Sequence, residues 1–267
     1  MDAPLNDSFP VVDLYPIALL EGEGMGTAYE YSAKLKLLRR VVVATYPPRR
    51  LLIGGLPEAY GLDLDLALLA VRYGCQTVVA DDRQPMLEAF AGALRSSPLS
   101  DLADPGQFEM RHLVTLACPT RPDEVPFDLW VTTSALQRLD GVELTEYLAQ
   151  VREKSRHAVL LVPNKANKEH LSISGLDGFF LPDLVTACRQ ASLAVLEAGY
   201  LDVPPFPPGL QRSAEAKEKA AGSPVERFVM HSLEWWVRGE RLLPRFLKRR
   251  FGHIAYVFLQ PSKSIIG

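Results

Sequence analysis

The stretch LLIGGLPEAYGLDLDLALLAVRYGCQTVVADD, residues 51–82, decides how this chain folds. Its opening apolar run, RRLLIGG, is short and closed by glycine, as a buried strand is. LDLDLALLAVRYG, residues 62–74, has helical length and a terminal glycine stop. CQTVVADD then reads as a second strand. Strand, glycine turn, helix and strand in this order make a parallel pair joined by a crossover helix.

The same rhythm continues outward. QPMLEAFAGALRSS (84–97) predicts a helix with proline near its start, and FEMRHLVTL (108–116) a third strand. FDLWVTTS (127–134) predicts a fourth strand, GVELTEYLAQVREKS (141–155) an amphipathic helix and HAVLLVPN (157–164) a fifth strand. LPDLVTACRQASL (181–193) and AVLEAGYLDV (194–203) add one more helix and one more strand. Alternation of this kind predicts an α/β fold, a doubly wound parallel sheet covered by helices on both faces. Towards the amino terminus, TAYEYSAKLKLL (27–38) reads as a helix leading into the sheet. Towards the carboxyl terminus, Ser223, Pro224 and Glu226 have the spacing of a helix start, and Pro244 should interrupt that helix. HIAYVFLQPS (253–262) is a closing strand with no helix after it, free to pair antiparallel.

Composition narrows the function classes. The 267 residues are 48% hydrophobic and 23% charged, an ordinary globular balance. A formal charge of −3 lacks the basic excess that marks a nucleic-acid partner. Cys75, Cys118 and Cys188 are too scattered for a disulfide framework or a metal knuckle, which suggests a reducing compartment. The first 22 residues carry acids where a secretory signal needs bases, and no apolar run reaches the ~18 residues that span a bilayer. A cytoplasmic location is the expectation. The five histidines show no metal-binding spacing, so no metal is expected.

In open parallel sheets the ligand lies beyond the carboxyl ends of the strands, where glycines let it approach the backbone. Gly54, Gly55 and Gly61 occupy the first such turn. Asp81 and Asp82 end the second strand, where a carboxylate can accept both hydroxyl hydrogens of a ribose. On the residues alone the alternative stands beside this: a tight turn followed by a helix-capping acid.

The order of these elements, with VVADDRQPML, FDLWVTTSALQRL, HAVLLVPN and the late LEAGY, resembles the class I S-adenosylmethionine-dependent methyltransferases over residues 49–200 and the closing strand. Asp81 precedes Met86 and Leu87 at the family's spacing, and Phe127 and Asp128 match its FD pair. The resemblance implies a Rossmann-like sheet of seven strands with the last antiparallel. It implies S-adenosylmethionine as cofactor, contacted by Gly54, Gly55, Gly61, Asp81, Asp82, Thr115 and Thr132. Two positions depart from the pattern. Ile53 stands where members carry an acid before the first glycine, and LPEAY lengthens the turn, leaving Glu58 or Asp63 to replace that acid.

The expected organisation is one domain over residues 1–267: a helical segment (1–48), a cofactor-binding core (49–203), a helical lid or insertion (204–252) and the closing strand (253–262). Related amino-terminal segments fold over the cofactor, which makes Tyr29, Glu30 and Tyr31 site candidates. Asn164 at the end of the fifth strand and Phe206 in VPPFPPG are candidates for the substrate side. NKANKEHLSISGLDGFF reads as a long loop, in which His170 could act as a general base. His170 and Tyr29 are the catalytic candidates. The activity expected is methyl transfer to a small molecule; the alternative is a non-catalytic scaffold or cofactor sensor of the same fold.

Overall fold

A computed structural model describes residues 9–43, 47–205 and 224–261. The apolar run ahead of the glycines forms β1 (Arg50–Gly54), in which Leu51 and Ile53 face one layer of the core and Leu52 the other. The helix after the turn is α3 (Leu64–Tyr73), closed by Gly74 at φ 62° in the left-handed conformation that glycine adopts without steric cost. It follows two amino-terminal helices, α1 (Val11–Leu20) and α2 (Met25–Leu38), the latter running on into a π-helical turn at Arg39–Val43. Helix α1 falls in the amino-terminal stretch expected to be helical, although no separate helix was read there, and it contains Pro16.

The remaining elements alternate as the sequence implies: β2 (Gln76–Asp81), α4 (Gln84–Ser96), β3 (Phe108–His112), β4 (Phe127–Thr133), α5 (Gly141–Lys154) and β5 (Ser155–Pro163). They are followed by α6 (Lys168–Ser174), α7 (Leu181–Gln190), β6 (Leu193–Leu201), α8 (Pro224–Glu240), α9 (Arg245–Phe251) and β7 (Ile254–Pro261). Pro244 stands at the start of α9, where the broken helix resumes. The long loop expected after β5 is instead partly helical. Asn167 caps α6 by accepting a hydrogen bond from the His170 backbone N–H at 3.1 Å, so His170 sits on a helix. The third strand also stops at His112, short of the apolar residues that follow it in the sequence.

The seven strands form one sheet in the order β3-β2-β1-β4-β5-β7-β6. β1 to β5 are mutually parallel where they pair, and β7 runs antiparallel between β5 and β6. Helices α1 to α4 and α8 contribute to the core on one face, and α5 and α7 to the core on the other. Strand order reverses between β1 and β4, which opens a crevice at their carboxyl ends. Among the described residues no helix is long and apolar enough to cross a membrane.

Candidate functional site

The glycine turn lies at this crevice. Gly55 and Gly61 have φ of 97° and 70°, and each needs glycine for a second reason. A Cβ on Gly55 would come within 2.7 Å of the Ala135 Cβ; one on Gly61 would come within 2.5 Å of the Tyr31 hydroxyl and 2.8 Å of Glu21 Oε2. Gly54 is crowded in the same way, with Trp130 Nε1 2.5 Å from where its Cβ would be. Under it sits a buried polar knot. Tyr147 donates to the Gly54 carbonyl at 2.8 Å and accepts from Trp130 Nε1 at 2.8 Å, and Thr132 Oγ1 bonds to both side chains. Thr132 is therefore held beneath the turn.

Asp81, fully buried at the end of β2, accepts five hydrogen bonds. They come from the Leu56 N–H (2.7 Å), the Arg83 N–H (2.8 Å), Arg83 Nε (2.9 Å) and Nη2 (3.0 Å), and Arg138 Nη2 (2.9 Å). Burial alone would raise its pKa, but Arg83, the Leu56 amide and Arg138 outweigh it and hold the carboxyl below its ordinary value. Asp82 shares Arg138 through a 2.6 Å ion pair. Thr115 lies in a cavity of about 360 Å3 lined also by His112 and Cys118, which Asp82 does not line.

A second buried charge cluster closes the other end of the turn. Lys34 of α2 has no exposed side-chain surface and lies 2.7 Å from Asp63, 3.4 Å from Asp65 and 3.4 Å from Glu30. Burial opposes its charge, but these acids together lift its pKa above the ordinary lysine value. Three carboxylates share one ammonium, and burial raises the pKa of Asp63 and Asp65. Asp63 Oδ2 and both Asp65 oxygens accept no hydrogen bond. Glu58, the other acid of the turn, faces solvent and meets Gln137.

Glu30 continues this cluster into a small cavity lined by Tyr60, Thr133, Ser134, Pro163, His170 and His253. Here His253 Nδ1 meets Asp202 Oδ2 at 2.9 Å, and its ring stacks on His170 with centroids 4.0 Å apart. Burial, with His253 alongside, pushes the His170 pKa down to about 4; Asp202 overcomes burial and raises that of His253. Three of the non-glycine residues at positive φ, Asp63, Ser134 and Asp202, stand at this edge of the sheet. Backbone strain of that kind costs about 1–3 kcal/mol per residue and collects at functional sites.

No protein-family model matches this chain, and no curated protein matches its sequence. Solved structures do match its fold. A protein assigned as a sarcosine dimethylglycine methyltransferase from Galdieria sulphuraria superposes with a TM-score of 0.53 at 12% identity, over 91% of this chain and 90% of that one. The methyltransferase domain of bacterial CtHen1 gives 0.53 at 11% identity, over 88% and 99% of the two chains. Magnesium protoporphyrin IX methyltransferase from Synechocystis PCC 6803, solved with bound SAH, gives 0.51 at 10% identity, over 87% and 83%. The fold is that of the class I methyltransferases.

On this methyltransferase fold the residues singled out in the sequence divide into two sets. Gly54, Gly55, Gly61, Asp81, Asp82 and Thr115 stand at or after the carboxyl ends of β1, β2 and β3, and Glu30 and His170 line the small cavity described above. Tyr29 is fully buried and its hydroxyl lies 2.5 Å from Glu240 and 3.0 Å from the Val203 carbonyl, which commits it to the packing of α2 on α8. Asn164 is likewise committed: it donates to the Arg249 and Gly252 carbonyls and accepts from the Ala166 N–H. Phe206 and Ser223 lie outside the described residues. Lys34, Arg83, Arg138, Asp202 and His253 were missed. Arg138 and His253 have partners remote in sequence, Asp81 at 57 residues and Asp202 at 51, whereas Arg83 lies two residues from Asp81 and Lys34 four from Glu30, pairs that no spacing motif marks.

Proposed function

We propose that this chain binds S-adenosylmethionine in the crevice and transfers its methyl group to a small-molecule acceptor. The observation that carries the reading is the strand order, which puts the glycine turn and a buried carboxylate, Asp81, at the switch point of a methyltransferase sheet. The donor set fits such a cofactor at both ends. Asp63, Asp65 and Glu30 outnumber the single Lys34 ammonium they share, an acidic excess that suits a cationic half, and Asp81 suits ribose hydroxyls once they replace the guanidinium contacts of Arg83 and Arg138. When bound, the sulfonium supplies an electrophilic methyl carbon. The protein's part is to hold the acceptor in line with it and exclude water.

A specific observation favours a second reading, a non-catalytic protein of this fold. Asp81 already has five donors, and Gly54, Gly55 and Gly61 are all packed against side chains of the chain itself. Titration separates the two. S-adenosylhomocysteine should raise the melting temperature and NAD should not, because a ligand that binds only the folded state stabilises it. Asp81→Ala, shown to be folded, should weaken that binding by about 1–3 kcal/mol, the worth of charge-assisted hydrogen bonds. No binding at millimolar S-adenosylhomocysteine would leave the scaffold reading standing.

A further inference from the structure

The largest apolar cavity described lies beyond the crevice, between the end of β6 and helices α8 and α9. It has a volume of about 430 Å3, and its walls include Val203, Pro204, Trp236, Leu247 and Phe251. That is the size of a site for a one- or two-ring molecule. His253 belongs to its wall and also to the wall of the small cavity that holds Thr133, Ser134 and Glu30 at the sheet edge. It is the residue common to both.

We propose that this cavity is the acceptor pocket, that its ligand is an apolar ring compound bearing an acidic hydroxyl, and that His253, oriented by Asp202, takes the hydroxyl proton. The orientation is built in. With Nδ1–H donated to Asp202 at 2.9 Å, Nε2 carries the lone pair and has no hydrogen-bond partner among the described residues. The backbone is fixed as well, by the His253 N–H on the Asp202 carbonyl and the Asn164 N–H on the His253 carbonyl. Four titratable groups act on the ring from the surrounding elements: Asp202 after β6, Glu30 on α2, Glu240 on α8 and His170 on α6. Three are acids, which favour the imidazolium formed when the proton arrives. The pocket walls are mostly apolar, with Asn167, Glu169 and His253 as the polar exceptions, so a hydroxyl entering it has His253 as its ring-nitrogen acceptor.

Resting on the methyl-transfer reading, the step balances as follows. The hydroxyl proton goes to His253 Nε2, the oxygen forms a bond to the methyl carbon, and the carbon–sulfur pair returns to sulfur, leaving a neutral thioether.

The test uses the full chain and two probes, 2-naphthol and its methyl ether, with binding read from tryptophan fluorescence. The expected result is that 2-naphthol binds at least fivefold more tightly than the ether. His253→Gln should abolish that preference, and it should fade in the wild type as pH falls through a midpoint above the ordinary histidine value. Leu247→Trp, which fills the cavity, should block both probes. Equal binding of the two probes, an unchanged preference in His253→Gln, or unimpaired binding in Leu247→Trp would overturn the pocket assignment, whether or not S-adenosylhomocysteine binds. If S-adenosylhomocysteine binds and a methylated naphthol forms, His253→Gln should lower turnover at least 100-fold at unchanged S-adenosylhomocysteine affinity. Equal turnover in the variant would overturn the proton-transfer role.

Discussion

At the scale of single residues, the glycine turn is held from beneath by one hydroxyl. Tyr147 satisfies the Gly54 carbonyl and the Trp130 indole N–H together, in a place with no access to water. Tyr147→Phe removes the hydroxyl donor to the Gly54 carbonyl and leaves the Trp130 N–H with Thr132 alone, and a buried polar group that loses its partner costs about 1–3 kcal/mol. A urea midpoint lowered by that amount at constant slope is the expected outcome. His170 gives a second residue-level consequence. The unfolded chain protonates it near the ordinary 6.5, while the folded chain resists until about 4. The unfolded state therefore binds the proton first, and the stability that His170 confers is present above pH 6.5 and lost as pH falls towards 4. Comparing wild type with His170→Gln, the difference in unfolding free energy should shift in the wild type's favour from pH 4 to pH 7, by about 1–3 kcal/mol. A pH-independent difference would show that the ring is solvated.

At the scale of elements, α5 has a complete capping box, found at no other helix start among the described residues. Asp140 accepts from the Val142 and Glu143 N–H groups, and Glu143 reaches back to the Asp140 N–H. Asp140→Ala should cost about 1 kcal/mol, measurable as a lowered melting temperature with S-adenosylhomocysteine affinity unchanged. This helix, like α3 and α4, was legible in the sequence because local signals fix it: apolar periodicity, a proline near the start or a glycine at the end. The strands were legible for the same reason, down to the antiparallel last one. Helix α1 was legible only as part of a helical amino-terminal stretch, not as an element of its own, since Pro16 interrupts its pattern and its start at Pro10 has no side-chain cap. Helix α6 was not legible, being a seven-residue helix with no buried residue and so no apolar stripe to read. The candidate site was legible as the carboxyl ends of β1 and β2, where the glycine turn and Asp81 lie. Its chemistry was hidden, because Arg138 reaches Asp81, and Asp202 reaches His253, only once the sheet has assembled.

At the scale of the whole molecule, α8 ties the amino-terminal helices to the rest of the fold. Glu234 accepts from the Val11 N–H at 2.9 Å and from Lys36 Nζ at 2.7 Å, and Glu240 meets Tyr29. The sheet carries a different kind of long-range dependence. β7 lies between β5 and β6, and it is the strand to which both are hydrogen-bonded on that side. A ribosome makes residues 254–261 after every other described element, so a nascent chain carries β5 and β6 without the strand that joins them until β7 emerges. Strand edges left open in this way pair with other chains. The order of synthesis thus makes the interval between β6 and β7 the time when this protein most needs a chaperone, and makes chains stalled in that interval its most aggregation-prone products.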